Sequence, residues 1–77
     1  MPHIEILGPG CANCNTLFQR AEQAARELGL EFTIEKVTDL NRIVGYRVLT
    51  TPAMVVDGQV KVAGRVPTAE ALKELLR

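Results

Sequence analysis

Two cysteines, Cys11 and Cys14, are the only cysteines in the 77-residue sequence. They follow an apolar run at residues 4–7 and a Gly-Pro-Gly segment at residues 8–10, which ends a strand and lets the backbone turn. A helical pattern begins at or near Cys11. The unpaired N–H groups and the positive dipole end of a first helical turn favour a thiolate there. Such a setting can lower the pKa of a cysteine from about 8.5 to roughly 3.5–7.5.

The spacing of the two cysteines suits reversible disulfide chemistry. Cys14 lies one helical turn after Cys11 on the same helix face, and a disulfide needs Cα atoms about 4.4–6.8 Å apart. We expect Cys11 to be the exposed, attacking sulfur. Cys14, which continues into an apolar stripe, would be the shielded, resolving sulfur. A metal-binding pair and two unrelated buried thiols are the alternatives, but the strand before the pair and the helix after it favour redox chemistry.

The composition limits the other functions. Nine basic and nine acidic residues cancel, so a general surface for nucleic acid or for an anionic membrane is not indicated. No apolar run approaches the ~20 residues of a membrane span, and the start of the chain lacks the regions of a signal peptide. We expect one domain over residues 1–77, monomeric and cytoplasmic. In that compartment the cysteine pair would be reduced at rest or would cycle.

The first half of the chain predicts a strand, a helix and a second strand. A strand at residues 3–7 is followed by apolar positions that recur at helical spacing up to Leu28, and Gly29 is a natural stop. Residues 30–37 alternate as a second strand. Because such crossovers are right-handed, the two strands should be parallel neighbours.

The second half predicts a short helix, a hairpin and a final helix. Asp39 can cap the short helix, which runs through Val44. Asp57-Gly58 between apolar runs is a strong signal for a two-residue hairpin, and Thr68 can cap the last helix. The expected fold class is α/β in the order β-α-β-α-β-β-α. It has three helices, the first and third on one face, and a four-stranded mixed sheet in the order 2-1-3-4.

This element order, the cysteine pair at the first strand–helix junction and a Thr-Pro pair before the third strand together resemble the thioredoxin fold. The chain is most similar, over essentially its whole length, to the small thioredoxin-like or glutaredoxin-like proteins of archaea and bacteria called redox-active disulfide proteins. Three stretches carry the resemblance: Gly8-Pro9-Gly10-Cys11, Thr51-Pro52-Ala53 and Val62-Ala63-Gly64-Arg65-Val66-Pro67.

The resemblance implies that two further residues belong to the site. Pro52 is then a cis proline that faces the cysteine pair, and it presents the Thr51 backbone to an extended partner segment by strand addition. Thr51 and Pro52 are therefore candidates for substrate positioning. The local sequence by itself is also compatible with a trans proline at the start of an edge strand.

Two departures from the family pattern leave the reduction potential open. The residues between the cysteines are Ala12-Asn13, rather than the Gly-Pro of ordinary thioredoxins or the Pro-Tyr of many glutaredoxins. Gly10 takes the place of the aromatic residue that often precedes the first cysteine in thioredoxins. Arg47 and Arg65 are candidates for binding glutathione carboxylates, with a solvated surface charge as the alternative for each.

We expect a thiol–disulfide oxidoreductase that reduces protein disulfides with Cys11 and Cys14 as catalytic residues. These steps need neither a metal nor an organic cofactor. Re-reduction needs a flavoprotein of the thioredoxin-reductase type or a small thiol. The main alternative is a soft-metal carrier that holds copper or zinc on the same pair. Such carriers usually have the order βαββαβ and a methionine two residues before the first cysteine, where this chain has Pro9.

Three other side chains have open roles. Glu5 is either a half-exposed strand residue or a carboxylate near Cys14 that takes a proton during exchange. His3 is expected to be an exposed residue near the chain start rather than a ligand. Tyr46 could cover the edge of the site or simply pack.

Overall fold

The computed structural model describes residues 2–10, 12–48 and 50–77. Its elements follow the predicted order: β1 (His3–Leu7), α1 (Ala12–Glu27), β2 (Thr33–Val37), α2 (Leu40–Gly45), β3 (Ala53–Val56), β4 (Gln59–Ala63) and α3 (Ala69–Leu76). The predicted α/β fold class is confirmed. The order is not the βαββαβ expected of a soft-metal carrier, so the fold gives that alternative no support.

The sheet has the strand order β2-β1-β3-β4, as predicted. β1 pairs with β2 in parallel and with β3 antiparallel, and β3 pairs antiparallel with β4. The register places Leu7 opposite both Val37 and Ala53. The end of β1, the end of β2 and the start of β3 therefore lie together at one edge of the sheet, directly before the cysteine pair.

The two faces of the sheet carry separate apolar clusters, because side chains alternate along each strand. We call the first the α1/α3 face, since helices α1 and α3 cover it. Its buried residues are Ile4, Ile6, Leu17, Ala21, Ala24, Ala25, Met54, Val56, Val62, Leu72 and Leu76. We call the second the α2 face, since α2 covers it. Its buried apolar residues are Leu7, Val37, Ile43, Ala53 and Val55.

Local signals in the sequence produce the caps and the hairpin as predicted. The Asp39 side chain accepts a hydrogen bond from the backbone N–H of Asn41 at the start of α2, at 2.9 Å. Asp57 and Gly58 have φ values of 51° and 84°, the left-handed pair that a tight hairpin turn requires. Among the described residues, no helix has both the length and the apolar character to cross a membrane.

The second strand is shorter than predicted. The sequence pattern predicts a strand over residues 30–37, whereas β2 begins at Thr33. The backbone N–H of Leu30 donates to the carbonyl of Ala25 at 3.1 Å, and Gly29 has a φ of 70°. Leu30 therefore belongs to the C-terminal cap of α1, which is a Schellman-type ending. Alternation of side chains cannot distinguish such a cap from the start of a strand.

Candidate active site

Cys14 lies in the first turn of α1, and its side chain packs against the backbone where β1 ends. The residue is 5% exposed. A methyl group placed on Gly8 would overlap Cys14 Sγ and would lie 3.9 Å from Thr51 Cβ. Only a residue without a side chain allows this approach, so Gly8 has a steric role besides ending the strand. Cys14 and Thr51 therefore both lie close to the position that a Gly8 side chain would occupy. Cys11, the predicted attacking residue, lies outside the described residues.

The segment before β3 lies at the same edge of the sheet. Leu7 pairs with Ala53, so the residues next to them, Gly8 and Pro52, meet there. The Thr51–Pro52 peptide bond is cis, which is the isomer that the family resemblance implies. Pro52 is buried and Thr51 is exposed. The fold thus brings Cys14, Thr51 and Pro52 together, with Thr51 on the solvent side.

A loop at residues 64–67 borders this edge. The backbone N–H of Gly64 donates to the carbonyl of Pro52 at 2.9 Å. Gly64 has a φ of 76°, and a Cβ placed on it would lie 2.5 Å from Thr50 Oγ1. Both observations restrict this position to glycine. The loop is therefore packed directly on the segment that contains the cis bond.

Arg20 connects this loop to α1. Its Nη1 donates to the backbone carbonyls of Val66, at 3.3 Å, and Pro67, at 3.1 Å. Sequence reasoning gave Arg20 no role, because the helical pattern places it only outside the apolar stripe. A contact that spans more than forty residues has no signal in the local sequence.

Comparison with known proteins agrees with this geometry. A family model for the thioredoxin domain matches residues 2–77. The chain belongs to the thioredoxin family. It is 38% identical over 76 residues to a thioredoxin of Methanothermobacter thermautotrophicus, covering 99% of each chain. It is also 38% identical over 74 residues to a thioredoxin of Methanocaldococcus jannaschii, covering 96% of this chain and 85% of the relative.

Glu5 in this thioredoxin-family chain is buried, so the expectation of a half-exposed strand residue is wrong. The residue is 4% exposed and lies on the α2 face in the central strand β1. One carboxylate oxygen accepts a hydrogen bond from Arg42, and the other accepts one from the hydroxyl of Tyr46. These partners satisfy the buried charge. The sequence signal was a charged residue within an apolar run. Its partners lie in α2 and directly after it, far along the chain, and could not be identified from sequence.

Tyr46 is therefore a partner of Glu5, and it packs against the apolar cluster of the α2 face. Its hydrogen bond to the Glu5 carboxylate, together with partial burial, raises the pKa of Tyr46 above 10.0. The Arg42 guanidinium, 3.2 Å from Glu35 Oε1, lowers the pKa of Glu35 below 4.5. The alternative role of Glu5, a carboxylate that takes a proton during exchange, stays a hypothesis.

A group that could hold a metal ion lies on the same α2 face. One atom each from His3, Glu5 and Glu35 lies within 4.8 Å of the others. The guanidinium of Arg42 already contacts both carboxylates and offsets part of their negative charge, so a cation would have to compete with it. His3 is exposed as expected, with Nδ1 2.6 Å from Thr33 Oγ1.

The two arginines proposed for glutathione carboxylates are both exposed. Arg65 follows Gly64 in the loop beside Pro52, and Arg47 follows Tyr46 after α2 with a φ of 60°. The structure brings Cys14, Thr51 and Pro52 into one site, and it places Arg65 in the bordering loop.

Proposed function

We propose that this protein is a thiol–disulfide oxidoreductase that reduces protein disulfides through Cys11 and Cys14. The observation that carries the proposal is the meeting of three features at one sheet edge. They are the buried second cysteine of the CxxC pair, the buried Pro52 and the exposed Thr51 before it. The relatives named thioredoxin support the same chemistry.

The proposed reaction moves two electrons from the dithiol to the substrate. The Cys11 thiolate attacks one sulfur of the substrate disulfide, and the substrate's other sulfur leaves as a thiolate. Cys14, as a thiolate, then attacks Cys11 in the mixed disulfide and displaces the second substrate sulfur. The substrate ends as two thiols after protonation, and the protein ends with a Cys11–Cys14 disulfide. The shielded position of Cys14 suits the second attack, because burial protects this thiol from other disulfides in solution.

The proposal includes the partners that the chemistry requires. An extended substrate segment would pair with the Thr51 backbone by strand addition, held at Pro52. A thioredoxin-reductase-like flavoprotein or a small thiol would supply two electrons to restore the dithiol. A cytoplasmic location belongs to the proposal, because a reducing compartment keeps the pair able to donate.

Reduction of insulin by the wild-type protein and by two serine variants tests the proposal. Cys14→Ser should attack but not release, so a mixed disulfide through Cys11 should accumulate on non-reducing gels. Cys11→Ser should neither attack nor trap. Alkylation against pH should modify Cys11 first, with an apparent pKa below the ~8.5 of a free thiol. Trapping by Cys11→Ser would reverse the assigned roles, and zinc binding without any insulin reduction would contradict the proposal.

A further inference from the structure

We infer that Arg20 is a positioning residue for protein substrates: it holds the loop at residues 64–67 against the segment that contains Thr51 and Pro52. This inference rests on the proposed function for its substrate. Its structural part rests on the hydrogen bonds that join α1, the loop and Pro52. Arg20 lies six residues after Cys14 on the same helix, so α1 carries the buried thiol and also holds the loop.

The contacts of Arg20 are unusual for a helix arginine. Its half-buried guanidinium donates from one nitrogen to two successive carbonyls, those of Val66 and Pro67. Among the ion pairs of the described residues, none involves Arg20. By contrast, Arg26 on the same helix is mainly exposed and pairs with Glu22 at 3.4 Å. A planar guanidinium suits this task, because its N–H groups have a fixed geometry that a flexible lysine lacks.

The loop is fixed at two points, and Arg20 supplies one of them. At its start, Gly64 donates to the Pro52 carbonyl and packs against Thr50. At its end, the carbonyls of Val66 and Pro67 accept from Arg20. Without the second attachment, the loop would be held mainly through Gly64 and the partly buried Val66 side chain. The loop would then move relative to the segment at residues 50–52, which a bound polypeptide has to contact.

A protein substrate and a small disulfide should therefore respond differently to loss of Arg20. A protein substrate contacts the surface around the dithiol, whereas a small aromatic disulfide such as 5,5′-dithiobis(2-nitrobenzoic acid) needs access only to the sulfur. Loss of positioning weakens binding of the protein substrate in its ground state and transition state alike. This raises the half-saturating substrate concentration and leaves the limiting rate unchanged.

The test compares Arg20→Gln with Arg26→Gln, which removes the same charge from the same helix. Single-turnover oxidation of the pre-reduced protein is measured against insulin concentration. For Arg20→Gln we expect about a tenfold rise in half-saturation, the low end of the range for loss of hydrogen bonds from a charged donor. The limiting rate and the rate with the aromatic disulfide should stay within about twofold of wild type. Arg20→Lys, which can reach one carbonyl, should fall between Arg20→Gln and wild type.

Amide exchange provides a second measurement that needs no substrate. The Gly64 N–H is bonded to Pro52 in the wild type, so its exchange should be slow there. It should become about tenfold faster in Arg20→Gln and stay unchanged in Arg26→Gln. An unchanged half-saturation, or an equal fall in the rates with insulin and with the aromatic disulfide, would overturn the inference. If the wild type reacts with neither disulfide, the proposed function fails, and Gly64 exchange still decides whether Arg20 holds the loop.

Discussion

The α1/α3 face and the α2 face of the sheet bury side chains of different kinds. The first holds a continuous apolar cluster, and Cys14 lies at the start of the helix that covers it. The second holds a smaller apolar cluster and the buried carboxylate of Glu5, with its partners Arg42 and Tyr46. The candidate site is shaped by close packing at Gly8, whereas the α2 face depends on a satisfied charge. The two faces should therefore respond differently to removal of volume and to removal of charge.

Removal of volume should have the largest effect, and it should be larger on the α1/α3 face. Leu17 is fully buried between α1 and the sheet, so Leu17→Ala should cost about 3–5 kcal/mol of unfolding free energy. Ile43→Ala on the α2 face should cost about 2 kcal/mol, because a helix of six residues can move into the space. Urea denaturation of both variants measures the difference. Equal losses would contradict the distinction between the two faces.

Addition of volume at Gly8 should disturb the site directly. The new methyl group of Gly8→Ala would overlap Cys14 Sγ, so we expect a loss of about 1–3 kcal/mol of stability. The reaction of the reduced protein with an aromatic disulfide should also slow, because the thiol or the backbone has to shift. Gly45→Ala at the end of α2 is the matched control. Nothing lies within 4 Å of its added methyl group, so stability should hold or rise by up to about 1 kcal/mol.

Wild-type stability and reactivity in the Gly8→Ala variant would show that the contact between Gly8 and Cys14 is not required. An equal loss in the Gly45→Ala variant would show that the effect comes from removing glycine rather than from the added methyl group.

The sequence predicted the features of the fold that local chemistry determines. The turn at Asp57 and Gly58 and the cap at Asp39 follow from residue types that favour those backbone conformations. The strand order follows from the handedness of the crossover and from the hairpin. Within the site, the placement of Cys14 follows from its helix position, and that of Pro52 follows from the family resemblance.

Two side-chain contacts that the sequence did not predict join distant segments of the chain. The burial of Glu5 requires partners in α2 and directly after it, thirty-seven and forty-one residues away. The bond from Arg20 to the loop at residues 64–67 links α1 to a segment that follows β4. In a periodic sequence pattern, polar residues such as Glu5 and Arg20 look like surface residues. The pattern contains no information on which distant hydrogen-bond partners the fold places beside them.

Removal of charge should destabilise the α2 face. In Glu5→Gln, the amide offers one acceptor oxygen where the carboxylate offers two, so the Arg42 or Tyr46 donor then faces an NH₂ group. Arg42 keeps Glu35 at 3.2 Å and is half exposed, so it is not left without a partner. We expect a loss of about 1–2 kcal/mol at pH 7, measured by urea denaturation.

An unchanged stability of Glu5→Gln would contradict the importance of this buried carboxylate to the α2 face. The same variant also tests the alternative role of Glu5 as a proton acceptor. If the carboxylate takes a proton during exchange, release of the mixed disulfide formed with insulin should slow as well. A loss of stability without slower release would limit the role of Glu5 to stabilising the α2 face.

The smallest effects should come from two surface carboxylates, one on each side of the sheet. Lys73 lowers the pKa of Glu27, which links α1 to α3, and Arg42 lowers the pKa of Glu35 on the α2 face. A carboxylate with a lowered folded-state pKa stabilises the protein above its unfolded pKa of about 4.5, and this contribution is lost as pH falls through the folded value. Glu27→Gln and Glu35→Gln should each make stability less dependent on pH below about 4.5.

Both side chains are substantially exposed, so salt should weaken both contributions alike. Urea denaturation from pH 6 to pH 3 at low and high salt measures this. If only one variant changes the pH dependence of stability, the difference between the two faces extends to their surface carboxylates. If both variants change it equally, the two faces differ only in their interiors, where Leu17 and Glu5 lie.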